Sequence, residues 1–108
     1  MIPIQKEEIQ KILQTLINQD LYIHMETTTG AYARNQAEVY LRNAVVRFSQ
    51  GRSKGEGPYR IGLKMEHGWI YADGLTHWEL DDQERLLMAG YDPEGKLTVA
   101  LQLSREPF

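Results

Sequence analysis

Two groups of residues in this chain have the types and spacing to do chemistry. His24 and Glu26 lie two apart in LYIHMETTTG, so an extended backbone puts both side chains on one face with Tyr22 and Thr28. A histidine beside a carboxylate can act as a general base and the group that orients it. The hydroxyls of Thr27, Thr28 and Thr29, followed by Gly30, suit a bound anion, and Arg60 offers the matching positive charge. His24, Glu26, Thr28 and Arg60 are therefore the candidate ligand site. The bland alternative is a polar strand face turned to solvent, which is where such residues most often lie.

The second group is aromatic: Trp69, Tyr71 and Trp78. Reading His67-Gly68 and Asp73-Gly74 as two-residue hairpin loops pairs Glu66 with Trp69, Lys64 with Tyr71, Ala72 with Leu75, Ile70 with His77 and Trp69 with Trp78. One face then carries Tyr59, Ile61, Leu63, Met65, Ile70, Ala72 and Leu75, ending in His77 and Glu79. The other carries Arg60, Gly62, Lys64, Glu66, Trp69, Tyr71, Thr76 and Trp78. Tryptophans and a tyrosine gathered on one face call for a cover. It is either the N-terminal helix or a homodimer or partner interface, for which Trp69, Tyr71 and Trp78 are the candidate residues. Stacked bases of a single-stranded nucleic acid are a weaker third reading, with Arg60 and Lys64 alongside. The acidic total charge makes nucleic acid an unlikely partner.

Other chemistry has little support. His24, His67 and His77 show no HExxH or HxH spacing and there is no cysteine, so no metal and no cofactor are expected. The stretch Gln50 to Pro58 (QGRSKGEGP) contains Arg52, Ser53 and Lys54 among three glycines. It lacks the GxxxxGK[ST] order of a phosphate loop and reads as a mobile connection.

The chain of 108 residues has 12 basic and 15 acidic side chains and 42% hydrophobic residues, enough for one domain over 1–108 with its own core. Its net charge of −3 conceals an uneven distribution. Residues 1–29 carry −2, residues 30–65 carry +5 and residues 66–108 carry −6. Such a block is either a solvated face or an anion-binding one. The absence of cysteine removes thiol chemistry and disulfides. No apolar run is long enough for a membrane, and Met1-Ile2-Pro3-Ile4 does not open a signal peptide, so a soluble cytoplasmic protein is expected.

These side chains need elements to position them. Ile9, Ile12, Leu13, Leu16 and Ile17 recur at helical spacing, which predicts a helix of about fourteen residues ended by Asn18-Gln19-Asp20. Leu21, Ile23 and Met25 alternate with polar residues and predict a half-buried strand; residues 38–49 predict the next. Asp92-Pro93-Glu94-Gly95 fits a type I turn with a glycine bulge. Pairing across it places Leu87, Ala89, Tyr91, Leu97, Val99, Leu101 and Leu103 on one face. The expected fold is mainly antiparallel β, about seven strands in a barrel-like or small sandwich arrangement, with the N-terminal α-helix packed on it.

The blocks YIHMETTTGAYA (22–33), GPYRIGLKMEHGWIYADGL (57–75), RLLMAGYDPEGKL (85–97) and the tail LQLSREPF resemble the YojF family, small bacterial proteins grouped as a domain of unknown function. The likeness spans nearly the whole chain. It implies a mainly antiparallel β protein of the Gram-positive cytoplasm. It supplies no activity, cofactor or catalytic residue. Relatives tend to be encoded beside a deacetylase of low-molecular-weight thiol (bacillithiol) metabolism, which implies an enzyme of that metabolism as a protein partner. The leading expectation is a non-catalytic binding or accessory subunit that forms a homodimer. A small-ligand or anion site, conceivably enzymatic, at His24, Glu26, Thr28 and Arg60 is the alternative.

Overall fold

The structure, a computed structural model, describes residues 1–28 and 38–108. Among these residues the chain forms β1 (Ile2–Pro3), α1 (Lys6–Leu16), β2 (Leu21–Thr27), β3 (Val39–Val46), β4 (Gln50–Lys54), β5 (Tyr59–Lys64), β6 (Trp69–Leu75), β7 (His77–Leu80), β8 (Leu86–Tyr91) and β9 (Leu97–Ser104). The strands make two antiparallel sheets, one of six strands in the order β1-β7-β8-β9-β2-β3 and one of three in the order β4-β5-β6. Mainly antiparallel β with a single helix is thus the architecture. The two sheets do not close into a barrel, and nine described strands replace the seven expected. The two extra strands are β4, read from sequence as a loop, and β1, a two-residue pairing onto β7.

The helix spans eleven residues rather than fourteen. Ile9, Leu13 and Leu16 are its buried stripe and Ile12 and Ile17 pack at its margin, so the spacing argument identified the right face. What the helix covers is the outer edge of the small sheet. The Gln10 side chain donates to the Gly51 carbonyl (2.7 Å) and accepts from the Ser53 amide (3.0 Å), standing in for a missing neighbour strand. The buried Ser53 hydroxyl donates to the Lys6 carbonyl at 3.1 Å. A Cβ on Gly51 would lie 3.0 Å from that of Leu13 and 3.2 Å from the Phe48 ring. Gly51 and Ser53 are therefore small because the helix lies on them. That is why Gln50–Lys54 has a loop-like composition and a strand conformation.

The β5–β6 hairpin turns through residues 65–68, closed by a Met65 amide to Gly68 carbonyl bond of 2.9 Å. Lys64 consequently pairs with Trp69, Leu63 with Ile70, Gly62 with Tyr71 and Ile61 with Ala72. This register is two residues away from the expected one. Side chains alternate with period two, so the shift leaves every face assignment on these strands intact. Ile61, Leu63, Ala72 and Leu75 are buried, while Arg60, Lys64, Trp69 and Tyr71 are exposed. Asp73-Gly74 is not a hairpin turn. It is a bulge inside β6, with Gly74 at φ +77°, where the ladder jumps from Ile61↔Ala72 to Tyr59↔Leu75. The bulge bends β6 so that the chain crosses at Thr76 from the small sheet into β7 of the large one. There the Thr76 amide donates to the Ala89 carbonyl at 2.9 Å. The Gly74 carbonyl oxygen occupies the place a Cβ of Gly90 would need, so glycine is required where the two sheets cross.

The Asp92–Gly95 turn is as expected: the Gly95 amide bonds the Asp92 carbonyl and Gly95 sits at φ +81°. A further irregularity between Gly90 and Tyr91 moves the β8 pairing by one residue. The core face therefore joins Leu86 and Met88, not Leu87 and Ala89, to Val99, Leu101 and Leu103. Phe48, Leu21, Ile23, Met88, Leu101 and Leu103, all essentially inaccessible, fill the space between the sheets. At the β7–β8 turn Asp81 Oδ1 accepts from the Gln83 and Arg85 amides, and its Oδ2 accepts from Arg85 Nε at 2.6 Å.

Candidate functional site

The proposed ligand residues fall on two different sheets. His24 and Glu26 project from the outer face of the six-stranded sheet, since Ile23 between the strands' core residues is fully buried and Met25 packs against the core. His24 meets the C-terminal Phe108 ring edge-on, centroids 5.9 Å apart, and Phe108 in turn lies under the Arg85 guanidinium at 5.7 Å. Glu26 stands in a cross-strand row with Ala100, Ala89 and His77. At the far end of that row His77 Nδ1 is 2.7 Å from the Thr76 hydroxyl and its ring meets Tyr91 edge-on. Thr28 follows β2, its amide bonded to the Thr98 carbonyl. Arg60 belongs to the outer face of the three-stranded sheet, across the core from His24 and Glu26. Among the described residues no His/Asp/Glu cluster has the form of a metal site.

The aromatic group is also divided. Trp78 is a strand residue of the large sheet, half-buried in the row with Met88 and Leu101, and its indole Nε1 is buried without a hydrogen-bond partner. It does not pair with Trp69. Nor does the helix cover Trp69 and Tyr71, which remain 41% and 54% exposed. These two rings, at i and i+2 on β6, stack parallel with centroids 5.5 Å apart and an interplanar angle of 6°.

Gly62 makes this arrangement possible. It is the cross-strand neighbour of Tyr71, and a Cβ there would lie 3.0 Å from Tyr71 Cε1. The rings thus lean over bare backbone, as aromatic side chains do over a strand glycine. Along the strand Tyr71 has Trp69 on one side and the Arg60 guanidinium on the other, 5.5 Å from its ring centroid. Arg60 is fixed in turn by Asp73, whose Oδ2 accepts from Nε at 3.0 Å and from Nη2 at 2.6 Å. That hydrogen-bonded pairing raises the guanidinium pKa above its ordinary value and lowers the Asp73 carboxyl below its own.

Beside the rings is a cavity of about 320 Å³ lined by Gln50, Arg52, Lys54, Arg60, Gly62, Trp69 and Tyr71. Its lining holds three cations and no carboxylate. Arg52 is steadied by its own strand, Nε and Nη2 each 3.3 Å from Gln50 Oε1. Among the described residues no carboxylate pairs with Arg52 or Lys54. The outer face of β4–β6 thus carries four cations (Arg52, Lys54, Arg60, Lys64) and one carboxylate, in a chain whose total is −3. From sequence, Arg52 and Lys54 come up only as part of a connection that lacks phosphate-loop order, and not as residues of a strand face. The alternation of Gln50, Arg52 and Lys54 with the small Gly51 and Ser53 is the signal that could have placed them on a strand face.

Small two-sheet antiparallel β proteins with one edge-covering helix are the structural class to which this chain belongs. A family model described as "Protein of unknown function (DUF1806)" matches residues 3–108, and the chain belongs to that family. It is 49% identical over 114 aligned residues to the uncharacterized protein YojF of Bacillus subtilis (strain 168), covering all of this chain and 98% of that one. The crystal structure of Bacillus subtilis YojF superposes on it with a TM-score of 0.87 at 49% identity, over 98% of this chain and 94% of that one.

Proposed function

We propose that the protein is a non-catalytic binding subunit and that the outer face of β4–β6 is where it takes an anionic ligand or partner. The observation that carries this is the cavity lining: three cations, two stacked exposed rings and a glycine floor, with no carboxylate. Cations gathered over a concave surface concentrate anions by several kT of potential. No nucleophile–base pair accompanies them there, so the face has the parts for binding rather than for turnover.

Calorimetric titration with tripolyphosphate at low salt tests the reading. The expected result is saturable binding that weakens about tenfold in the Arg52→Ala/Lys54→Ala double variant and falls steeply with added salt. Absence of binding to the unaltered chain would sink it. The homodimer has a separate place in this proposal. Val39, Tyr40, Leu41 and Val45 are exposed on β3, which among the described residues is the outermost strand of the large sheet and has no partner on its outer edge, and such an edge can add a second copy by strand pairing. Light scattering on the same samples reads the dimer directly.

A further inference from the structure

Resting on that reading, we infer that the anion held on the β4–β6 face is a terminal phosphate group, free or as a small monoester, seated over Gly62 among Arg52, Lys54 and Arg60.

The strand register brings the three cations around one point. Lys54 pairs directly with Arg60, and Arg52 pairs with Gly62. Paired Cβ atoms lie about 5 Å apart and diagonal ones about 7–8 Å, within the reach of these long side chains. Three positions of this four-residue cell are cationic, and the fourth has no side chain. Like charges directly opposite one another destabilise a sheet. The one carboxylate of the face, Asp73, binds Arg60 from the β6 side. Among the described residues no carboxylate opposes Arg52 or Lys54. An anion over Gly62 relieves that repulsion.

The aromatic wall favours an anion as well. Tyr71 has Trp69 stacked on one face and the Arg60 guanidinium over the other. What it turns toward Gly62 is its edge: Cε1 and Cδ1 lie 3.0 and 3.2 Å from the place of a Cβ there, and Trp69 Cε3 lies 3.5 Å from it. An aromatic edge is the positive end of the ring quadrupole. The cavity of about 320 Å³ is thus bounded by cations and ring edges, and its size is within the range of small-ligand sites.

Phosphate fits by charge and by oxygen count. Two uncompensated cations match the charge of about −1.5 to −2 on a phosphate monoester at neutral pH. Nε and Nη2 of Arg52 are on Gln50, and Nε and Nη2 of Arg60 are on Asp73. Each guanidinium therefore keeps its Nη1 without a partner among the described residues. Those two groups and the Lys54 ammonium supply a donor for each terminal oxygen of a phosphate monoester, where a carboxylate has one oxygen fewer.

Calorimetry at neutral pH and fixed low salt tests this with three probes. Ethyl sulfate has the shape and terminal oxygens of ethyl phosphate with one charge fewer, and succinate has two charges held apart. Ethyl phosphate is expected to bind about tenfold tighter than ethyl sulfate, the worth of one further charge a few ångströms from a cation, and tighter than succinate. Arg52→Gln, at an exposed position, should cut the preference over ethyl sulfate to about threefold or less. Lys64→Gln removes the same charge from the same face but outside the cavity lining, and should weaken ethyl phosphate by less than about twofold. Equal affinity for the two esters, tighter binding of succinate, or a Lys64→Gln loss as large as that of Arg52→Gln would overturn the phosphate site. Tripolyphosphate binding would persist in those cases and the anion reading would stand; if tripolyphosphate does not bind either, both fall. Inorganic phosphate separates the sources. Binding at least as tight as that of ethyl phosphate assigns the site to free phosphate, and weaker binding assigns it to a monoester; either supports the compact oxyanion.

Discussion

The outer faces of the two sheets carry similar chemistry by composition and different chemistry by geometry. The six-stranded face holds His24, Glu26 and His77, residue types associated with acid–base work. They do not converge: His24 meets Phe108, His77 meets Thr76 and Tyr91, and the buried Ala89 and Ala100 lie between Glu26 and His77. The three-stranded face holds no histidine, yet it has the cavity with converging cations and rings. Residue type is a weaker guide to a site than convergence, and convergence here depends on a glycine at position 62 and on a strand, β4, that sits beside the rings.

The largest perturbation strikes the joint between the two faces. Gly90→Ala forces a methyl into the Gly74 carbonyl and should cost about 3 kcal/mol or more, read as a lower urea midpoint. Retention of the normal midpoint would mean that the sheets can separate at this crossing without harm. A smaller change should act on one face alone. Asp73→Asn releases Arg60 from its partner and leaves the core untouched. Tripolyphosphate should then bind about two- to threefold tighter at neutral pH, as expected for removing one nearby negative charge. Unchanged affinity would show that Arg60 does not face the bound anion.

Acid reads both faces together. Hydrogen bonds from Arg60 hold the Asp73 carboxyl below its ordinary value of 3.8. At Asp81 desolvation pushes upward, and the hydrogen bonds from Arg85 and Gln83 outweigh it. A depressed carboxylate contributes stability that is present above its unfolded pKa and lost as pH falls through the lower folded value. Stability should therefore show no loss from these two groups between pH 7 and 5, and decline below about pH 4. Loss already at pH 5 to 6 would show that groups other than these two carboxylates set the acid limit. The smallest effect belongs to His24→Ala, which removes one edge-on ring contact worth about 0.5 kcal/mol and should leave anion binding unchanged. Any loss of anion affinity in that variant would reconnect the two faces.

Much of this was legible in the residues. Ile9, Leu13 and Leu16 announced the helix face, and Leu21 and Ile23 announced a strand. The alternation from Tyr59 to Leu75 sorted buried from exposed side chains correctly even though the pairing was two residues off. What escaped were the positions where local chemistry has two uses. Asp-Gly serves a tight hairpin and a bulge equally well, and only the crossing over Gly90 selects the bulge at Asp73-Gly74. Gly51 and Ser53 look like loop residues until a helix is packed on them. The Gly90/Tyr91 irregularity left no mark in the sequence, and it moved β8 by one residue, which exchanges faces.

The sequence by itself determined which side chains of a strand face the same way, because that follows from a period of two and survives any even shift of register. It also determined the family and the uneven charge. Which strands lie side by side was decided by the tertiary structure alone, through long-range pairing and close approaches at glycines. That is why Arg52 and Lys54 stand beside Trp69 and Tyr71, and why Arg60 is separated from His24 by the thickness of the core.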